Sequence, residues 1–287
     1  MKVKIISTSM VLCVLALFIA CSGGSEQATQ IEAAEQEIKT EVAYTKKVEV
    51  FGLYIYATNT TGDDKLLHAA NILAEYIDND EDGIPDNPKI MEALLKGNGA
   101  IVMRKNQGER SLIPRDKRPR GQGLYDEETI PNGAAQGRFD ASLEEILHMV
   151  TDKGWEGAYP EVFGRWPETE IAQAMDLARG GQFQDPPDVY PEGAWYTYDD
   201  ETCDYNCQVA EYIYWTLTSI LGGQDFPGRL ERIDNEWRLN TREKMMAGDP
   251  AAYAILTNPE YKLPTVLPDG KYKAKTFSIE PYSFGEK

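Results

Sequence analysis

Residues 140–150 read DASLEEILHMV, and the fold turns on whether this run is an amphipathic helix. Leu143, Ile146, Leu147 and Val150 recur at i, i+3, i+4 and i+7, which is one apolar stripe, and Asp140 or Ser142 can cap its start. At about 100° per residue, Glu144 and His148 project about 40° apart, with Glu145 about 60° beyond His148. All three sit opposite the stripe. Two readings are open there: a solvated Glu-to-His pair that adds only ~0.2–0.5 kcal/mol to the helix, or two groups one turn apart that share an ion. Histidine is scarce, since only His68 and His148 occur in 287 residues.

Outward from this helix, strands and helices do not alternate strictly, which predicts an α+β fold with helices packed on a small mixed sheet. Residues 47–58, KVEVFGLYIYAT, are rich in β-branched and aromatic residues and read as a strand. Residues 63–77 place Leu66, Ala69, Ala70, Leu73, Ala74 and Ile77 at helical spacing. A short helix over 90–96 and a strand over 99–104 follow. Downstream, helices are expected over PETEIAQAMDLARGG, stopped by Gly180 and Gly181, over 207–221, and over 229–247. The tail suggests turns and one or two short strands.

The first residues predict export. Two lysines and an apolar run over 10–20 precede Cys21, too short a run to span a bilayer as a mature helix. LFIAC resembles a bacterial lipobox, which implies that Cys21 becomes the lipidated N-terminus and tethers the protein to the cell envelope. Phe18 stands where such boxes carry Leu, so plain secretion stays open. The expected organisation is a signal peptide over 1–20, a Ser-, Gly- and Glu-rich tether over 21–43, and one domain over 44–287.

The net charge is −18, and −20 once Lys2 and Lys4 leave with the signal. Such a chain repels nucleic acid and anionic membrane and attracts divalent cations. Residues 104–120 oppose the trend: seven Lys or Arg against Glu109 and Asp116 give a local +5. That stretch is either a solvated loop that pairs with acidic neighbours or a loop that steers an anionic substrate. Cys203 and Cys207, in CDYNC, predict a short-loop disulfide in an oxidising compartment, with a thiolate metal site the weaker option.

The run DNDEDGIPD opens a loop over 78–89 that suits Ca²⁺. Asp78, Asp80, Asp82 and Asp86 supply oxygens at loop positions one, three, five and nine, Gly83 makes the sharp turn, and Ile84 offers its carbonyl. Lys89 stands where an EF-hand has its bidentate Glu, so the loop is instead similar to the DxDxDG loops of thrombospondin type-3 repeats and dockerins. Its expected role is structural.

EEILH resembles the HExxH helix of zincin metallopeptidases, with Glu144 in place of the first His. The resemblance implies a zincin-like domain in which His148 and Glu144 are ligands of Zn²⁺ or another divalent transition metal and Glu145 is the general base. In glutamate zincins the third ligand is a Glu on a later helix. AEYIYW around Glu211 resembles that ligand helix, 63 residues past His148; Asp176 and Glu168 are the next candidates, and His68 is a fourth. The implied activity is metal-dependent hydrolysis of peptides, with Tyr205, Tyr212 or Tyr214 assisting the oxyanion. The competing expectation is a non-catalytic, calcium-binding surface lipoprotein on a degenerate zincin scaffold, its 195–198 aromatic loop serving a partner. Ferritin-like di-iron chemistry is excluded because a second Glu-x-x-His is missing, and serine hydrolase chemistry because no Gly-x-Ser-x-Gly occurs.

Overall fold

The β-rich run over 47–58 is not one strand. Phe51 and Gly52 both take positive φ, 51° and 86°, and the chain reverses there into a hairpin. Its strands are β1, Tyr44–Val50, and β2, Leu53–Thr58, with Val50 opposite Leu53. Two central residues at positive φ give a turn whose twist matches that of the flanking strands. Aromatic and β-branched residues on both sides of the turn conceal it in the sequence. The computed structural model describes residues 41–285, so the signal segment, Cys21 and all but the end of the 21–43 tether lie outside the described residues.

Helix α1, Asp63–Ile77, and helix α2, Pro88–Lys96, carry the chain across to β3, Ala100–Arg104, which pairs parallel to β2. Helix α2 starts two residues earlier than its apolar spacing suggests because Asn87 caps it, accepting from the N–H groups of Lys89 and Ile90, with Pro88 in the first turn. All of β3 is buried, as suits a central strand. Strand β4, Gln122–Tyr125, pairs parallel to β3, and a two-residue β5, Glu280–Pro281, pairs antiparallel to β1. The sheet order is β4-β3-β2-β1-β5. Helices packed on this small mixed sheet make a single α+β domain.

The helix over the opening motif forms as α3, Ser142–Met149, and runs directly into a wider π-helical turn, Val150–Trp155. Leu143, Ile146, Leu147 and Val150 are all buried, so the stripe is the face that packs. Helix α1 lies on β1 and β2, α3 lies on β3 and β4, and the two helices touch. The Tyr76 hydroxyl of α1 donates to the Leu143 carbonyl of α3 at 2.7 Å.

A helical layer follows: α4, Glu170–Arg179; α5, Tyr205–Ile220; α6, Arg242–Gly248; and α7, Pro250–Leu256. Helix α5 packs against α3, α4, α6 and α7 and is buried over most of its circumference. The continuous helix expected over 229–247 does not form. After one turn, Leu230–Ile233, the chain is captured by Trp237, which is fully buried, pairs with Tyr196, and donates its Nε1–H to Ser219 Oγ at 2.9 Å. Tertiary packing overrides local propensity there. Among the described residues no helix is long and apolar enough to cross a membrane.

Because Leu147 is fully buried beneath the polar face of α3, Leu147→Ala should cost ~2–5 kcal/mol, measured by urea unfolding. A loss below ~1 kcal/mol would show that the stripe is not the packed face.

Candidate metal centre

The start of α3 is held by Asp140, whose Oδ1 accepts from the N–H groups of Ile130 at 2.9 Å and Ser142 at 3.2 Å. With the stripe turned to the core, Glu144, Glu145 and His148 are left half-buried on the other side. Helix α5 approaches from there and delivers Glu211. The ligand atoms of Glu144, His148 and Glu211 all lie within 4.8 Å of one another. His148 Nε2 is 3.4 Å from Glu211 Oε1 and 3.9 Å from Glu144 Oε1. Two donors ~2.1 Å from one ion at a tetrahedral angle stand ~3.4 Å apart, so the spacing suits a shared cation.

Both ring nitrogens of His148 are buried and neither has a hydrogen-bond partner. A buried polar atom without a partner is costly, and in a native protein it signals a missing ligand or a strained site. Nitrogen and carboxylate donors fit a divalent cation. The unpartnered Nδ1 departs from most histidine metal sites, where that atom has an acceptor that fixes the ring.

The charges around the cluster act on it and on each other. Burial alone would push the His148 imidazole down, but Glu211 and Glu144 outweigh it and hold the imidazole well above its ordinary range. Burial pushes Glu145 up to about 7, against the pull of the Gln122 donor and of His148. Gln122 Nε2, on β4, donates to Glu145 Oε2 at 2.7 Å, so the carboxylate is anchored toward the sheet. It stands outside the group formed by Glu144, His148 and Glu211.

Tyr214 packs edge-on to His148, with ring centroids 6.0 Å apart, and its hydroxyl accepts from Gln224 Nε2 at 3.1 Å and Arg229 Nη2 at 3.3 Å. Burial and the carboxylates of Glu211, Asp200 and Glu144 keep Tyr198 protonated far above its ordinary range. Glu236 is raised by burial, with Asp199 and Glu211 adding to it.

The other candidates are engaged elsewhere. His68 Nε2 pairs with Asp140 Oδ2 at 2.6 Å, and its ring packs against Gly270, so it is not a ligand here. Asp176 accepts from Arg179 Nη2 at 2.6 Å and from the Tyr205 hydroxyl at 2.9 Å, which occupies both. Glu168 is exposed in the turn before α4. The Tyr212 hydroxyl donates to Asp249 at 2.5 Å. Gln122 and Glu236 escaped the sequence reading. The QGLY of β4 is too short and glycine-rich to register as a strand, and the 229–247 segment looked helical.

Cys203 and Cys207 form a disulfide at the start of α5, beside the Asp204 cap, whose Oδ1 accepts from the Cys207 N–H at 3.0 Å. The bond secures the first turn of the helix that carries Glu211.

A second group that could hold a metal ion is Asp78, Asp80 and Asp86, whose ligand atoms also lie within 4.8 Å of one another. Asp78 accepts from the N–H groups of Asp82 at 3.2 Å and Gly83 at 2.7 Å, and Gly83 turns the chain at φ 93°. Asp82 Oδ1 accepts from the Ile84 N–H at 2.8 Å, and its carboxylate lies outside the group of three. Ile84 is exposed. The tail is tied to the loop by the Tyr272 hydroxyl on Asp78 and by Asn79 Oδ1, which accepts from the N–H groups of Thr265 and Val266 at 2.9 Å each.

The chain matches no protein-family model, no curated protein and no solved structure.

The raised carboxyl of Glu145 has a testable sign. A carboxyl whose folded pKa lies above its unfolded value of ~4.3 binds its proton more tightly when folded. Its contribution to stability is complete below the unfolded pKa and is lost as pH rises through about 7. In metal-free protein, carbon-detected NMR should therefore find Glu145 titrating with a midpoint near 7, and the stability of the wild type should fall relative to Glu145→Gln between pH 5 and 7. A midpoint near ~4.3 would show the carboxyl to be solvated.

Proposed function

We propose that this chain is a metal-dependent hydrolase of peptides on a zincin-like scaffold, held at the bacterial cell envelope by lipid on Cys21. The observation that carries the reading is half-buried His148, whose ring nitrogens are shielded from solvent and make no hydrogen bond, with Nε2 3.4 Å from Glu211 and 3.9 Å from Glu144, on a helix that also carries Glu145. Glu144, His148 and Glu211 would hold Zn²⁺ or another divalent transition metal. Two carboxylates and one imidazole form a harder, more anionic set than two imidazoles and a carboxylate, which broadens the choice of metal. A bound cation supplies Lewis-acid polarisation of a carbonyl and lowers the pKa of water.

The chain's own groups do the rest. Glu145, poised near neutral pH, takes the proton of the attacking water and passes it to the leaving amine. Gln122 orients that carboxylate. Tyr214, pinned by Gln224 and Arg229, packs on the His148 ring and holds it in place. A peptide fits because β4 is an outer strand next to α3, paired on one side only among the described residues, and an extended backbone can pair with such an edge.

Asp78, Asp80 and Asp86 would take Ca²⁺, and the bound ion would staple the end of α1 to the tail. The disulfide supports an oxidising compartment.

His148→Ala should weaken zinc binding by more than ~100-fold, the upper end of what loss of a group that merely supports a ligand costs. Glu145→Gln should keep the metal and lose ~10²–10⁴ in turnover of a peptide library. Metal retained without Glu145-dependent cleavage would leave the non-catalytic lipoprotein. Separately, calcium at a hundredfold excess over its Kd should stabilise the protein by ~2.7 kcal/mol in thermal unfolding, and Asp80→Asn with Asp86→Asn should abolish the gain.

A further inference from the structure

Within the positive stretch 104–120, Lys105 pairs with Asp126, but the five arginines do not find acidic partners among the described residues. Arg104, Arg110, Arg115, Arg118 and Arg120 line one cavity of about 640 Å³ beside β4, and the acid in its lining is Glu145. Among the described residues none of the five forms an ion pair. The chain carries 47 Asp and Glu against 29 Lys and Arg, so acids are plentiful, and still these guanidinium groups are left without one. Gathering like charges without counter-charge is unfavourable unless a ligand supplies it.

Arg104 is the sharpest case. It is 6% exposed, and its partners are two neutral phenols: Nη1 donates to the Tyr44 hydroxyl at 3.2 Å and Nη2 reaches the Tyr125 hydroxyl at 3.5 Å. Its Nε is buried with no partner. Glu128, which senses the charge of Arg104, instead accepts from the Tyr125 N–H at 2.8 Å. A Cβ at position 123 would stand 3.2 Å from Nη2, so Gly123 keeps the space in which the guanidinium lies. Burying a cation with an idle N–H costs free energy that an anion would offset.

We infer that this cavity is an anion site for a phosphate or sulfate group, with Arg104 as its buried anchor and the exposed Arg110, Arg115 and Arg120 at its rim. One carboxylate satisfies one guanidinium fork, whereas a tetrahedral oxyanion presents acceptor oxygens to several forks from different directions. Arg118 supports the rim by donating from Nε to the Ile113 carbonyl at 2.7 Å. The anion-binding arginines are distinct from the metal-site residues Glu144, His148 and Glu211, although Glu145 and Gln122 border the same cavity.

Isothermal titration calorimetry on the full chain tests it, with inorganic phosphate, sulfate and citrate added separately at constant ionic strength in chloride with EDTA present. Saturable binding of phosphate or sulfate is expected, tighter than citrate, and the stronger of the two identifies the group. Arg115→Ala with Arg120→Ala should weaken it by at least about tenfold, as should Arg104→Lys, which keeps charge but loses the fork. Glu211→Gln should leave it unchanged. The exposed pair decides the matter should the Arg104 variant fail to fold. No saturable heat with either tetrahedral ion, citrate as the tightest ligand, unchanged affinity in the arginine variants, or affinity lost in Glu211→Gln would each overturn the inference.

Discussion

Two carboxylates brought to one buried imidazole need a positive charge between them. Glu144 and Glu211 sit with His148 inside 4.8 Å, and the nearer pair is 3.4 Å apart. That nearer pair is His148 Nε2 with Glu211 Oε1, and Glu144 Oε1 stands 3.9 Å from the same nitrogen. A proton on His148 balances one carboxylate. A divalent cation balances both and takes up the ring nitrogen that otherwise makes no hydrogen bond. The rest of the domain is arranged to force this encounter: the apolar stripe fixes the roll of α3, and α5 is buried over so much of its surface that Glu211 is carried to the same point.

Much of this was readable in the sequence because it rests on helical periodicity. The stripe from Leu143 to Val150 set which way Glu144, Glu145 and His148 face, and periodicity survives into tertiary structure when a helix must bury one side. The convergence of Glu211 came from resemblance, since 63 intervening residues carry no local information about distance. What stayed hidden has physical reasons. The Phe51–Gly52 turn is flanked by strand formers on both sides, β4 has one inward apolar residue, Leu124, and the break before α6 is imposed by Trp237, whose pocket lies on other elements. In the acidic loop the spacing brings Asp78, Asp80 and Asp86 together, while the hydrogen bond from the Ile84 N–H to Asp82 is a feature of the folded loop that spacing does not encode.

Helix α3 divides the chemistry of the molecule. Below, it seals the core. On one polar edge, Glu144 and His148 meet α5; on the other, Glu145 is tied by Gln122 to β4 and borders the arginine-lined cavity. The basic stretch that seemed anomalous in an acidic chain thus has a place, next to the one carboxyl of the helix that burial tunes toward neutral pH. The acidic loop and the disulfide act at a distance, holding the ends of α1 and α5 so that the seam between the two layers keeps its register.

Anomalous X-ray scattering from crystals soaked in zinc, recorded on both sides of the zinc edge, addresses the matter most directly. A single strong peak is expected ~2.0–2.2 Å from His148 Nε2 and from one carboxylate oxygen each of Glu144 and Glu211. Scattering found only at other sites, with the His148 imidazole hydrogen-bonded to water, would contradict the metal centre and with it the hydrolytic function.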